Sequence, residues 1–580
     1  MQHAATMWKH PWKFSEGLVI CGGLIIIGLL LQWLLGPIDW SSVSGPYNWL
    51  LLVGLVFVTI VAHSFSYQFH VLEWMSSPVA AVPTLLCIAA LMAVMGLTRQ
   101  VPPMMPPSDA LGVTRMTAFW PFVLMNVYAM LQVGMAIMTT ATRWRIGIPL
   151  WRVILFCAIH LGLWLVLVCA TLGSGDMRRV RMNLSRGSVE DRAIDERHRQ
   201  VRLPISVKLD DFGIDEYPPE MVVVDRRTGE VVDDSGWQLT AFDTIYYAVR
   251  VETDSVVDYV AGESYGAASA MLIGAKKNGV GGVGWISDGN FMYPPSVLFL
   301  DDRYCAVMPE RRPQRYYSVV DVTDMDKQAV HDTIEVNHPL RVDGWWIYQS
   351  SYDVIKGRWS ETSVLELVRD PWLSVVYVGF VLMLFGALLL FVPVGGNKLR
   401  GSGIVISVVI IVAGLFLYWT LIRVGFFERK MMPALQSPWF APHIVVYMVG
   451  YSALALSVVA ALFRRLDLAD ALVRPGLAML TFGMLFGAFW AKEAWGTYWS
   501  WDPKETWAAA TWTLYVLYIH LRASGTVSRG WAISLLVVSF VCLQMCWWGV
   551  NYLPSAKATS VHTYTSWVSA CADDFADFVI

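Results

Sequence analysis

Residues 490–507 read WAKEAWGTYWSWDPKETW, with Trp at 490, 495, 499, 501 and 507 and Tyr498 among them. Indole rings are large and flat, and each carries one N–H donor. A row of them between two apolar segments suits a planar, amphipathic ligand, with rings on its faces and N–H groups at its polar edge. A belt of tryptophan where helices leave a bilayer is the plainer alternative. The stretch also contains a helix start. Asp502-Pro503-Lys504-Glu505 places Asp at the N-cap, Pro at the first helical position and Glu at the third. Asp502 and Glu505 therefore read first as the corner that orients the loop, not as an acid–base pair.

Outward from this stretch the chain is strongly apolar. Of 580 residues, 56% are hydrophobic and only 15% are charged, against about a quarter charged in soluble domains. That composition describes an integral membrane protein. The net charge of −3 gives no reason to expect nucleic acid. Eight cysteines are scattered without a CxxC pair, which argues against a thioredoxin-like or zinc role. The first apolar run is long enough to span and lacks a small-residue cleavage site, so it reads as an anchor.

Five apolar runs of near-spanning length come first, at 17–36, 48–65, 79–97, 118–138 and 153–173. Residues 174–370 then carry much of the charge. They show short alternating segments (205–209, 221–224, 244–251), a turn at 225–229, a Gly-rich patch at 274–284 and an aromatic cluster at 345–350. This is a β-rich region. Six further runs follow, at 372–392, 404–422, 443–462, 476–495, 506–521 and 531–550. The predicted fold is a polytopic α-helical membrane protein of about eleven spans with an inserted β-rich extracytoplasmic domain. Its parts are N-terminal helices (1–150), a span with His160 (151–173), the β-rich domain (174–370) and a helical domain (371–580) holding the 490–507 loop. Arginine and lysine near 143–152, 398–400, 464–474 and 522–529 place those loops inside. The β-rich domain, the loop and the C-terminal tail are then outside.

Topology sorts the histidines. His443 opens the eighth span at its outer end, and His562 follows the last span on the same side. Two imidazoles flanking an aromatic platform can ligate haem iron while rings cover the porphyrin. His160 and His520 lie in the inner half of the fifth and tenth spans. Ionisable groups at that depth are costly and mark function. His63 and His70 read as interfacial. His3, His10, His198, His331 and His338 read as solvated.

At this point a resemblance emerges. WGTYWSWDPKETW resembles the tryptophan-rich "WWD" signature of haem-handling proteins, in the form of the CcsA branch. His443 in SPWFAPHIVVYMVGY, His562 in VHTY and His520 in TLYVLYIHLR resemble that family's histidine motifs. VNHPLRVDGWWIYQSSYD (336–353) is similar to the ResB/CcsB partner, as is AIHLGLWLVLVCATLGSGDMRRVRMNLSRG with His160. Together they resemble a fused CcsB–CcsA protein, the System II cytochrome c synthase, across roughly 150–570. The chain departs from the pattern in residues 554–560 before His562 and in its last fifteen residues.

The resemblance implies a bacterial inner-membrane protein with its loop and soluble domain in the periplasm. Haem b would be both substrate and bound ligand. His160 and His520 would take it on the inner side; His443 and His562 would hold it outside, against Trp490, Trp495, Trp499 and Trp501 with Asp502 beside them. The partner would be an apocytochrome c presenting Cys-x-x-Cys-His, whose two thiols add to the haem vinyls. Thiol-reducing proteins would keep those cysteines reduced, and lipid would surround the spans. No covalent nucleophile is assigned. Arg423, Arg429 and Lys492 are candidates to meet the propionates. Two other classes stay open: a haem transporter or chaperone without ligation, and a membrane electron-transfer cytochrome b.

Overall fold

The computed structural model describes residues 11–102, 105–143, 149–253, 256–326, 328–392, 397–428, 430–525 and 527–556. His562, Arg429 and the tail lie outside them. Among the described residues, six α-helices precede the β-rich region: α1 (Phe14–Leu35), α2 (Tyr47–Phe65), α3 (His70–Met75), α4 (Pro78–Leu97), α5 (Trp120–Arg143) and α6 (Leu150–Leu172). Six follow it: α7 (Leu373–Ala387), α8 (Asn397–Arg423), α9 (Phe440–Leu462), α10 (Leu466–Trp495), α11 (Pro503–Ser524) and α12 (Arg529–Trp547).

Every run expected to span is helical, but among the described residues ten helices rather than eleven are long and apolar enough to cross a membrane. The exception is α11, whose Lys504, Glu505, His520 and Arg522 lower its hydropathy. It is shielded instead, packed chiefly on α4 and α12, with Thr506, Trp507, Tyr515 and Tyr518 buried. A second difference concerns α10, expected to begin after Pro475. The helix runs through that proline from Leu466. Pro475 forfeits one backbone hydrogen bond, but the added turns bury Leu466, Ala469, Leu472 and Val473. They also place Asp470 to accept from Tyr518 Oη and Arg522 Nη2, both at 2.7 Å.

Among the described residues, fifteen strands lie between α6 and α7. The largest sheet has eight, ordered Ala329–Glu335, Pro313–Thr323, Gln200–Glu216, Val189–Asp195, Arg178–Ser185, Thr362–Arg369, Trp345–Tyr352 and Leu340–Val342. Its first and last strands in sequence pair directly, Arg178 opposite Arg369. The chain therefore leaves and re-enters the helical part at one point. There α6 and α7 pack closely, and a Cβ on Gly162 would lie 2.6 Å from the Gly379 carbonyl. The Gly-rich patch is the hairpin Ala268–Lys277/Val280–Ser287. Its Asn278-Gly279 turn has both residues at positive φ, the two-residue signal that marks such a hairpin in sequence.

Candidate functional site

The site at the tryptophan-rich loop is built on the α9–α10 contact. His443, Tyr447 and Tyr451 recur every fourth residue along α9, on one face. Opposite them α10 carries Gly483 and Gly487. A Cβ on Gly487 would lie 2.7 Å from His443 Cε1, and one on Gly483 would lie 2.9 Å from the Tyr447 ring. The missing side chains let the two rings approach the α10 backbone. His443 Nδ1 donates to the Gly483 carbonyl at 2.8 Å. Since a carbonyl only accepts, the proton is on Nδ1 and Nε2 is the basic nitrogen.

The five tryptophans do not form one continuous shelf. Trp490 is buried, its ring centroid 5.7 Å from that of His443 and 5.4 Å from that of Trp495. Its Nε1 donates to the Ala434 carbonyl at 2.8 Å. Trp499 and Trp501 turn the other way. Trp501 meets Phe122 of α5 edge-on at 5.9 Å and Trp499 at 5.8 Å. Trp507 lies against Gly96 of α4. The Nε1 atoms of Trp499 and Trp507 are buried without an acceptor among the described residues. An acceptor on a bound ligand, such as a haem propionate, would satisfy the donor at Trp499.

Asp502 is the N-cap of α11: its side chain accepts from Glu505 N at 2.8 Å, with Pro503 at the first position. Glu505 Oε2 accepts from Ser500 N at 2.7 Å, Ser500 Oγ at 3.1 Å and Asp502 N at 3.3 Å. One carboxylate thus gathers the loop, and Trp501 adopts φ +59° to make the corner. At the other end Gly496 caps α10 at φ +74°.

The β-rich region rests on this loop. Arg179 Nη2 donates to the Trp495 carbonyl at 3.3 Å, and a Cβ on Gly496 would lie 3.1 Å from Tyr348. Lys492 is buried; its Nζ donates to the Gly496 carbonyl at 2.8 Å and lies over the Tyr348 ring. That ammonium is committed to the joint, which argues against its meeting a propionate. Arg423 stacks over Trp419. Burial raises the Tyr348 phenol and the Asp370 carboxyl above their usual ranges; for Asp370 the Trp372 N–H and the Lys492 ammonium oppose it. Asn337, inside the partner-like motif, donates to the Pro433 carbonyl at 2.8 Å.

His160 lies on α6 and His520 on α11. Each donates Nδ1–H to the carbonyl one turn earlier, Phe156 and Val516, both at 2.9 Å. His160 also stacks on Phe156, ring centroids 3.9 Å apart. His63, near the end of α2, is buried, its Nδ1 3.4 Å from Thr139 Oγ1 of α5, because α2 packs on α5 along that face. Gly96, Glu505 and Asn337 were absent from the expected set. Glu505 was legible as a cap, and Asn337 lay within a quoted motif. Nothing local to Gly96 distinguishes it.

Fold and site define a multi-pass membrane protein in which a β-rich region is seated on a tryptophan-rich loop, with half-buried histidines on its helices. Residues 373–556 match the family model described as cytochrome C assembly protein, and residues 285–360 match the ResB-like family. The chain thus carries segments matching both families, the ResB-like one first, which is the order expected of a fused CcsB–CcsA protein. The cytochrome c biogenesis protein CcsA of Chlamydomonas reinhardtii is 35% identical over 158 residues, 23% of this chain and 42% of that protein. CcsA of Prochlorococcus marinus (strain MIT 9312) is 34% identical over 188 residues, 24% of this chain and 58% of that protein. CcsA of Spinacia oleracea is 42% identical over 91 residues, covering 16% and 27%. The matched region spans about half the length, or less, of these curated relatives.

Proposed function

We propose that this protein carries haem b across a bacterial inner membrane and attaches it to apocytochrome c at the periplasmic face. The observation that supports this most is shared by His443, His160 and His520. Each spends its Nδ1–H on a backbone carbonyl, which fixes the ring and makes Nε2 basic, as in iron- and zinc-ligating histidines. His160 and His520 would receive haem on the inner side. His443, with His562, would hold it at the loop beside Trp490 and Trp495, with Trp499 and Trp501 fixing the loop against α5.

Attachment needs orientation more than a nucleophile. Each substrate thiol adds across one vinyl C=C: a C–S bond forms and the thiol proton ends on the neighbouring vinyl carbon, with no net redox change. Thiolate is the reactive form, so the Cys-x-x-Cys pair must arrive reduced, supplied by a separate thiol-reducing protein. Holding two thiols against two vinyls makes the step effectively unimolecular. A loop fixed by Asp502 and Glu505 at one end and by Gly496 and the β-rich region at the other provides such a frame.

The test is expression with an apocytochrome in a bacterium lacking its own synthase. Haem-stained, thioether-linked cytochrome supports the reading. Haem-loaded protein with no thioether product leaves a transporter or chaperone, and quinol-dependent redox turnover would leave a cytochrome b.

A further inference from the structure

We infer that Gly96, near the outer end of α4, is a positioning residue for the tryptophan-rich loop, and that the N-terminal helices thereby set the geometry of the outer haem site. The inference rests on the haem reading above and extends it to a part of the chain that neither family model covers.

Three contacts converge there. A Cβ on Gly96 would lie 2.7 Å from Trp507 Nε1 and 2.9 Å from Cε2. Trp507 is buried, and a rigid indole cannot yield as a flexible chain end can. It belongs to the first turns of α11, immediately after the Asp502 cap and the Ser500–Glu505 bonds that shape the loop. Second, the Gly96 carbonyl accepts from Ser555 Oγ at 3.4 Å, and Ser555 is seven positions before His562. Third, Met92, one turn earlier on α4, accepts through Sδ from Thr513 Oγ1 of α11 at 3.8 Å. Phe122 of α5 completes the wall against Trp501. One glycine therefore touches both the helix that carries the loop corner and Ser555 after α12. Any side chain at 96 must push α11, and with it the loop corner, away from α4.

The experiment uses the full chain in detergent with Gly96→Ala, Gly96→Val, and Gly96→Val with Trp507→Phe. The control is Gly54→Val, since nothing lies within 4 Å of a Cβ built at Gly54. Gly96→Val should raise amide exchange across residues 496–505 at least tenfold and shift the absorption and potential of the outer haem. The inner haem and α9 exchange should not change. Gly96→Ala should give a smaller shift in the same direction, and Trp507→Phe should restore the valine variant. Unchanged exchange in both single variants overturns the inference. So does equal loss at both haem sites, or failure of Trp507→Phe to restore a folded valine variant. If the parent binds no haem at all, the functional reading falls, and amide exchange alone decides the role of Gly96.

Discussion

The side-chain amide of Asn337 donates to the Pro433 carbonyl at 2.8 Å, and the next carbonyl, Ala434, accepts the Trp490 indole N–H at 2.8 Å. Two consecutive peptide groups thus link the β-rich region to the tryptophan-rich helix. Asn337 is buried and at φ +68°, a conformation Asn tolerates and most residues do not. Asn337→Gly keeps the backbone and removes the amide; Asn337→Ala adds strain. Loss of the buried bond should cost about 1–3 kcal/mol, with alanine the worse of the two. Thermal melting in detergent and protease sensitivity of residues 424–439 measure it. Equal, wild-type stability in both would show that this joint is dispensable.

Asp502 and Glu505 separate capping from ligand contact. Asp502→Asn retains an N-cap acceptor and should be nearly neutral, whereas Asp502→Ala should cost about 1 kcal/mol. Glu505→Ala should speed amide exchange at Ser500, whose N–H it accepts at 2.7 Å. A change in the haem spectrum with Asp502→Asn but not with Glu505→Ala would instead place Asp502 on the ligand.

The two depths should be independent. His160→Ala and His520→Ala should each remove inner haem, and the double variant should be little worse than either single one, because the pair acts as a unit. His443→Ala should change only the outer signal. Difference absorption spectra of the purified variants read both. Additive losses from His160 and His520 would mean that they do not share one iron.

In the β-rich region, burial pushes the Asp288 carboxyl up to about 6, against the Ser269 N–H at 2.9 Å and the Arg358 guanidinium. The native state then holds a proton that the unfolded chain releases near 3.8. Stability from this group is therefore full below about pH 4 and declines as pH rises through about 6, by on the order of 3 kcal/mol at about 1.36 kcal/mol per unit. Asp288→Asn should flatten that slope. Melting of the full chain between pH 4 and 7 tests it; an unchanged slope would show that Asp288 titrates near its ordinary value.

The apolar runs, the β-rich insert and the Asp502 cap were legible because each is local. Spanning length, alternation and capping chemistry act over a few neighbouring residues. A shared role for His160 and His520 is open to inference only through depth, since 360 residues separate them. Tertiary packing alone decided the rest. It split the tryptophans, with Trp490 and Trp495 toward His443 and Trp499 and Trp501 toward α5. It set Lys492 into the joint with Tyr348. It placed α4 against α11, so that a glycine with no motif around it bears on Trp507. The physical reason is that a membrane sequence records which side chains avoid water but not which apolar face meets which. That choice falls to shape: absent side chains at 96, 483 and 487, and buried donors that need particular carbonyls.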